Sequence, residues 1–217
     1  MGVFKPISTV VCTMNDPRLY FPATERNRDA IQRALDPWLP AEGTLLEIAS
    51  GSGEHLTYFA MQGLRPKLRW IPSDPEPEHR ASIDAWRSER GVGDRVAPAL
   101  DVDVLRTPWP IDAADALLCC NMIHIAPWEA CLGLLAGAAT ILGPGGTLIL
   151  YGPFMRDGAH TAPSNEAFDA RLKERDERWG VRALEVVTEH AATRGFALRH
   201  VEDMPANNLC VIFRRSV

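Results

Sequence analysis

Short apolar runs alternate with stretches of helical periodicity along most of the chain. The first helical stretch, 26–38, places Ala30, Ile31, Ala34, Leu35 and Trp38 on one face. The strand candidates are apolar runs that end at glycine, proline or polar residues: 44–49, 68–73, 95–100, 114–121 and 147–151. Further helices are predicted over 54–62, 77–90 and 128–142, through Phe168 and Leu172, and through Leu184, Val187 and Ala191. This alternation predicts an α/β fold with a mostly parallel sheet and helices on both faces.

The C-terminal part departs from this alternation. Two strand candidates, 197–204 and 209–214, are separated only by the turn-forming residues 205–208. So short a connection predicts an antiparallel hairpin at one edge of the sheet. We interpret 1–217 as one domain, in which 1–25 covers the active site. The long connection 152–180 is expected to form part of a substrate pocket.

Composition narrows the function classes. The chain has 217 residues, is 46% hydrophobic and 24% charged, and carries a net charge of −5. It has no long basic run, so no nucleic-acid partner is expected. No apolar run reaches the roughly 18 residues of a membrane span, and residues 1–6 lack the layout of a signal peptide. The five cysteines form no Cys-x-x-Cys pair, which favours reduced thiols in a cytoplasmic protein. The oligomeric state is not predicted.

A glycine-rich loop, Glu47 to Gly53, follows the first predicted strand. Ligands of open parallel sheets bind beyond the carboxyl ends of the strands, and glycines let the backbone turn tightly and approach a ligand. The loop lacks the full dinucleotide fingerprint, and no Gly-Lys-Ser/Thr follows it as in a phosphate-binding loop. The alternative is a plain strand-to-helix turn.

Acidic residues follow the second and third predicted strands. Asp74 stands about 20 residues beyond the glycine loop, the spacing typical of an acid that binds ribose hydroxyls. It could instead cap the next helix, which begins near Pro75. Asp101 and Val102 are expected to border an adenine ring, although Asp101 and Asp103 also suit a solvated loop.

The segment 121–128 follows the fourth strand and supplies the candidate chemistry. Asn121 could bind the cofactor or the acceptor, and His124 could act as a general base because its reference pKa lies near neutrality. The alternatives are a hydrogen-bonded structural histidine and, for Trp128, a helix core residue. The six histidines form no close ligand pair with cysteine or acid along the sequence, so no metal site is predicted.

Seven segments in order, 22–27, 46–55, 70–74, 121–128, 150–154, 164–169 and 204–208, resemble the methyltransferase-like protein 26 family. This family is a branch of the class I S-adenosylmethionine-dependent methyltransferases. The resemblance implies a seven-stranded Rossmann-like sheet with a reversed last hairpin, and S-adenosylmethionine bound across the first strand ends. It implies no particular substrate. The family often has Gly-Thr-Gly-Gln where this chain has Gly51-Ser52-Gly53-Glu54, a change that keeps the hydroxyl group.

The residues and the resemblance together predict a methyltransferase that uses S-adenosylmethionine and acts on a small molecule. The predicted cofactor residues are Arg26, Asn27, Glu47, Ala49, Ser50, Gly51, Gly53, His55, Asp74, Asp101, Val102, Asn121 and Met122. The predicted catalytic residues are His124, Asn121 and Tyr20. The predicted substrate residues are Tyr20, His124, Trp128, Tyr151, Phe154, Asn165 and Asn207. The alternatives are a non-catalytic binding module and a nicotinamide-dependent oxidoreductase. The presence of Gly51, Gly53 and Asp74 counts against a non-catalytic module. The incomplete glycine fingerprint and the closing hairpin count against an oxidoreductase.

Overall fold

The structure is a computed structural model that describes residues 16–216. Its helices are α1 (Pro22–Leu35), α2 (Glu54–Met61), α3 (Pro77–Glu89), α4 (Trp128–Ile141), α5 (Pro163–Arg175) and α6 (Leu184–Thr193). Its strands are β1 (Glu42–Ile48), β2 (Lys67–Pro72), β3 (Ala114–Cys120), β4 (Leu142–Gly152), β5 (Phe154–Arg156), β6 (Ala159–His160), β7 (Arg182–Ala183), β8 (Phe196–Met204) and β9 (Asn208–Arg215). Most of the predicted cover 1–25 lies outside the described residues.

The main sheet has the strand order β2-β1-β3-β4-β9-β8. The first four strands are parallel, and β9 runs antiparallel to both β4 and β8. In the middle of the sheet, Leu46 is in register with Ile71 on one side and Leu117 on the other. The carboxyl ends of β1, β2 and β3 therefore meet at one edge. The predicted α/β fold with a terminal antiparallel hairpin is confirmed.

The number of strands differs from the prediction. Residues 95–100 form only two isolated parallel bridges with the β2 edge, Trp70 to Val96 and Ser73 to Leu100. Between the two bridges, the regular parallel pattern would need a bond from residue 72 to the carbonyl of Ala97, but Pro72 of β2 has no N–H group to donate. The N–H of Ala99 donates to the Asp84 carboxylate instead of to β2, so the ladder is interrupted there. The expected seventh strand is thus an irregular segment beside a six-stranded sheet.

Two apolar layers cover the sheet. One contains α4 and α6 and the side chains of Leu117, Leu148 and Val211; the other contains α1 and α2 with Leu118 and Ile149. Alternate residues of each strand point to opposite layers, as the pleat requires. Cys119 and Cys120 consequently face opposite ways, and both are free thiols.

The predicted insertion between β4 and α6 has structure of its own. Strands β5, β6 and β7 form a separate three-stranded sheet, with α5 between β6 and β7. The three strands are too short for their pattern to be visible in the sequence. Among residues 16–216, no helix has the length and apolarity needed to cross a membrane.

Candidate functional site

The glycine-rich loop turns sharply at the end of β1. Ala49, Gly51 and Gly53 all have positive φ angles, of 55°, 57° and 84°, so the strand ends at Ile48. A Cβ atom on Gly53 would lie 2.7 Å from the Cα of Ile83 in α3. Glycine at position 53 is therefore required both by its left-handed backbone and by the close approach of α3.

Asp74 links this loop to the end of β2. Its buried carboxylate accepts hydrogen bonds from the backbone N–H groups of Gly51 and Glu76, each at 3.0 Å. The other contact is with Nδ1 of His79, also at 3.0 Å. Burial alone would lower the pKa of His79, but the hydrogen bond and the charge of Asp74 raise it above its usual value. Asp74 thus organises the turn before α3 and still faces the glycine loop.

Glu47 is a buried carboxyl group with an unfilled hydrogen-bonding position. Glu47 is only 2% exposed, and its Oε2 atom has no hydrogen-bond partner among the described residues. Burial raises the pKa of Glu47 to about 8, and the negative charge of Asp74 adds to the increase. Because buried polar atoms nearly always have partners, the bare Oε2 indicates a place where a ligand donates.

A cavity of about 240 Å³ lies at the carboxyl edge of the sheet. The predicted residues that line it are Asn27, Glu47, Ala49, Ser50, Gly51, His55, Asp74, Asn121 and Met122. The lining residues that were not predicted are Phe21, Ala23, Thr24, Ser52, Pro75, Glu76, His79, Cys120, Ile125 and Ala126. Many of these are direct neighbours of predicted residues, so a wider window around each strand end would have found them.

The segment before α1 closes one wall of this cavity. The backbone N–H of Phe21 donates to Glu54 at 2.8 Å, and that of Leu19 donates to the hydroxyl of Ser82 at 2.8 Å. The indole N–H of Trp86 donates to the carbonyl of Leu19 at 3.0 Å. These bonds tie the chain to α2 and α3 and hold the Phe21 side chain in the wall.

Tyr20, the neighbouring residue, does not line the cavity. Its residue is 39% exposed, and its ring packs edge-to-face on Trp86 with 5.0 Å between centroids. The covering aromatic side chain is instead Phe21, whose ring carbon lies 3.0 Å from where a Cβ on Gly51 would stand.

A polar network links His55, Asn27 and Tyr151. Nε2 of His55 lies 2.8 Å from Oδ1 of Asn27, and Nδ2 of Asn27 donates to the Tyr151 hydroxyl at 3.4 Å. Burial, with the charges of Arg28 and Arg90, lowers the pKa of His55 to about 4. The ring is therefore neutral at pH 7. Because an amide oxygen only accepts, Nε2 carries the proton and Nδ1 keeps a free lone pair.

His124 lies outside the cavity lining and is fully buried. Its Nδ1 accepts the backbone N–H of Arg182 at 3.2 Å, while Nε2 has no partner among the described residues. Burial, with the charge of Arg182, lowers the pKa of His124 to about 3. The Arg182 guanidinium also donates to the carbonyls of Ile123 and Ala126. His124 and Arg182 thus join the insertion to the loop after β3.

The other predicted substrate residues also pack within the protein. Asn165 donates to the Thr161 hydroxyl at 3.0 Å and to the Asn207 carbonyl at 2.8 Å, which ties α5 to the β8–β9 turn. Phe154 is fully buried, with its ring edge-to-face against His124. Trp128 is half-buried, next to Arg182 and His190. None of these side chains lines the 240 Å³ cavity.

Four predicted cofactor residues do not line this cavity, and one of them is Gly53, the left-handed N-cap of α2. Asp101 and Val102 line a second, more open cavity of about 450 Å³. The Asp101 carboxylate is largely exposed and pairs with Arg80 at 3.5 Å and Arg106 at 3.3 Å. Arg26 is exposed on α1 and does not line the first cavity.

Residues 18–215 match a family described as "Protein of unknown function (DUF938)". The chain belongs to this family. Its fold is also similar to that of solved methyltransferases. An O-methyltransferase family protein from Burkholderia thailandensis superposes with a TM-score of 0.71 at 19% identity, over 87% of this chain and 58% of that one.

Two further solved structures extend the comparison. For the mitomycin 7-O-methyltransferase MmcR, the TM-score is 0.76 at 18% identity, over 89% of this chain and 54% of that one. For an O-methyltransferase family 2 protein from Planctomyces limnophilus, in complex with apigenin, the TM-score is 0.69 at 21% identity. The match covers 87% of this chain and 60% of that one. The chain spans less than two thirds of each of these proteins. The similarity establishes the class I methyltransferase-like α/β fold.

Proposed function

We propose that the chain is an S-adenosylmethionine-dependent methyltransferase that acts on a small molecule. The observation that carries the proposal is the charge of the cavity. Among the described residues, its lining includes three acidic side chains, Asp74, Glu76 and Glu47, and no lysine or arginine. Burial raises the pKa of Glu47 to about 8, so this group becomes a carboxylate when a cation binds beside it and lowers that pKa. Such a cavity favours a ligand with positive charge, and S-adenosylmethionine carries a sulfonium and an ammonium group. A nicotinamide dinucleotide carries two phosphates, which these carboxylates would repel.

Individual residues fit the parts of this cofactor. Asp74 has lone pairs left for ribose hydroxyls, and the bare Oε2 of Glu47 suits the ammonium group. Asn27 and the neutral His55 offer polar contacts to the rest of the amino-acid part. Met122 and Ile125 supply apolar surface. The narrower assignment to the methyltransferase-like protein 26 family, and a cytoplasmic location, are part of the same proposal.

When bound, the cofactor supplies an electrophilic methyl group. The role of the chain is to hold the acceptor in line with that group and to exclude water, which can contribute about 7–11 kcal/mol in favourable cases. Phe21, Ile125 and Ala126 provide an apolar wall for this purpose. The contacts of His124 favour its structural role over a general base, because Nδ1 already accepts a backbone hydrogen bond.

A small-molecule acceptor is supported by the net charge of −5 and the lack of a basic run. The names of the similar structures point the same way, since one methylates mitomycin and another was solved with apigenin.

Calorimetry of the full chain tests the cofactor. We expect binding of S-adenosylmethionine and of its demethylated product S-adenosylhomocysteine, and none of NAD or NADH. Failure to bind either sulfur compound would refute the proposal. Incubation with methyl-labelled cofactor and fractionated cell extract tests the acceptor. Label should enter the small-molecule fraction; label only in RNA or protein would overturn that part, and the absence of label would favour a non-catalytic module.

A further inference from the structure

Three side chains that are distant in sequence meet at one end of the cavity. Glu47 is the penultimate residue of β1, His55 is the second residue of α2, and Cys120 ends β3. One oxygen, one nitrogen and one sulfur atom from these residues all lie within 4.8 Å of one another. All three residues line the 240 Å³ cavity.

The three groups are chemically suited to a soft divalent cation. The Nε2–H of His55 donates a hydrogen bond to Oδ1 of Asn27, so Nδ1 keeps its lone pair. Oε2 of Glu47 is buried without a partner, an independent sign of a missing positive ligand. Thiolate, imidazole and carboxylate together are typical ligands of zinc, whereas magnesium and calcium prefer oxygen alone.

The spacing is close to that of a zinc site. Bonds of about 2.0 Å to nitrogen or oxygen and about 2.3 Å to sulfur place tetrahedral ligand atoms roughly 3.3–3.5 Å apart. A separation of at most 4.8 Å requires each side chain to move by about 1 Å or less. Three protein ligands leave the fourth position open, as in zinc sites that keep an exchangeable ligand.

We propose that Glu47, His55 and Cys120 bind a zinc ion, with its fourth position open to the cavity, and that the bound ion excludes the methyl donor. The competition rests on the proposed function, because that function assigns the Glu47 carboxyl group to the ammonium group of the cofactor. The metal binding does not rest on it. The carboxyl and thiol groups give up their protons when they bind the ion.

The first experiment measures metal binding to the full chain after treatment with a chelator. One equivalent of Co²⁺, used as a spectroscopic substitute for zinc, should produce a sulfur-to-cobalt charge-transfer band. Zinc titration should give one site, weakened at least tenfold by Cys120→Ala and by His55→Gln. Cys119→Ala is the matched control, because Cys119 is the adjacent thiol on the opposite face of the sheet. Circular dichroism checks that each variant folds.

A chain that binds Co²⁺ without the band, or binds zinc equally well in Cys120→Ala and Cys119→Ala, would overturn the site. The second experiment measures S-adenosylhomocysteine affinity with and without one equivalent of zinc. In the unmodified chain, zinc should weaken S-adenosylhomocysteine binding at least tenfold. In Cys120→Ala, the ratio of the affinities without and with zinc should be much closer to one. Unchanged affinity beside bound zinc would overturn the competition. If the compound does not bind even without zinc, the proposed function fails while the metal titration still decides the site.

Discussion

The two polar regions of this molecule differ in where their unfilled hydrogen-bonding positions lie. Around the glycine-rich loop, Glu47 keeps a bare carboxyl oxygen and His55 a free ring nitrogen. In the insertion and its contacts, Asn165 uses both amide hydrogens, and Asp169 binds Lys173 and the backbone of Val181. The unfilled positions of the first region belong to residues that line the 240 Å³ cavity. The second region uses most of its capacity to hold segments together, and its bare nitrogens, Nε2 of His124 and Nδ1 of His160, belong to residues outside that lining.

A polar residue in a recognisable sequence motif can therefore either bind a ligand or hold segments of the protein together. Asn165 and Asn207 lie in segments as recognisable as the glycine loop, yet they bind each other. A buried donor or acceptor without a partner indicates a ligand site where its residue also lines a cavity, as Glu47 does and His124 does not. Variants of each region test which residues bind a ligand and which hold segments together, starting with the largest expected effect.

Arg182 should matter most for stability. Its guanidinium donates to the carbonyls of Ile123, Ala126 and Arg178 from a half-buried position. Arg182→Gln should lower the free energy of unfolding by about 3 kcal/mol, since several charge-assisted bonds of about 1.5–3 kcal/mol each are lost and partly replaced by water. Urea denaturation measures the change.

The control for Arg182 is Arg178→Gln, which removes an exposed pair with Asp176. That change should cost under about 1 kcal/mol. Equal losses of unfolding free energy in the two variants would show that the insertion is not held through Arg182. The second region would then not serve mainly to hold segments together.

Asp74 should matter most for cofactor affinity. Asp74→Asn keeps the shape but removes the charge and one acceptor, so S-adenosylhomocysteine should bind about 30-fold more weakly, equivalent to about 2 kcal/mol. Calorimetry gives the ratio. Asp101→Asn is the matched change at the exposed acid of the second cavity, and we expect less than a twofold effect. A loss at Asp101 as large as that at Asp74 would restore Asp101 as a cofactor residue.

The sequence reveals the first region better than the second, for a physical reason. The loop, Asp74 and Asn121 all follow strands, and the carboxyl ends of parallel strands converge. The ligand capacity of each residue depends on distant partners instead. Arg182 meets His124 across 58 positions, and Cys120 meets His55 only in the folded sheet. Spacing along the chain gives no sign of either contact, so His124 stands out as a candidate base and the metal cluster does not.

The edge of the sheet has the same explanation. The run 95–100 has the apolar pattern of a strand, and its prediction as a full strand is wrong. The backbone hydrogen bonds from Trp70 to Arg95 and from Leu100 to Pro72 do form. Between them Pro72 of β2 cannot donate, and the N–H of Ala99 donates to the distant Asp84 carboxylate. A missing N–H group in the neighbouring strand and a diverted N–H group, rather than a weak pattern, convert the strand into two bridges.

Two histidines with lowered pKa values should make stability depend on pH. The pKa of His124 is lowered to about 3 and that of His55 to about 4, so the unfolded chain binds more protons below its ordinary histidine pKa of about 6.5. Stability from these groups is present at pH 7 and is lost as the pH falls below about 6.5. Glu47, with its pKa raised to about 8, opposes this trend: its contribution grows as the pH falls from 8 towards 4.5.

The variant His124→Asn isolates the contribution of His124 to this pH dependence of stability. The difference in unfolding free energy between the unmodified chain and His124→Asn should shrink by about 1.4 kcal/mol from pH 7 to pH 5.5, because one proton is involved over one pH unit below 6.5. Denaturation at both pH values measures it. A constant difference would mean that the imidazole titrates normally, which would favour an accessible general base over a structural residue.

The smallest effects separate two adjacent aromatic residues. Phe21 lies over Gly51 in the cavity wall, whereas the Tyr20 ring packs on Trp86. Phe21→Ala should weaken cofactor binding about fivefold, close to 1 kcal/mol, through lost apolar contact. Tyr20→Phe removes only a hydroxyl on a partly exposed ring and should change affinity less than twofold. If calorimetry gives the reverse order, the wall is formed by Tyr20 when ligand is bound, and the segment before α1 rearranges on binding.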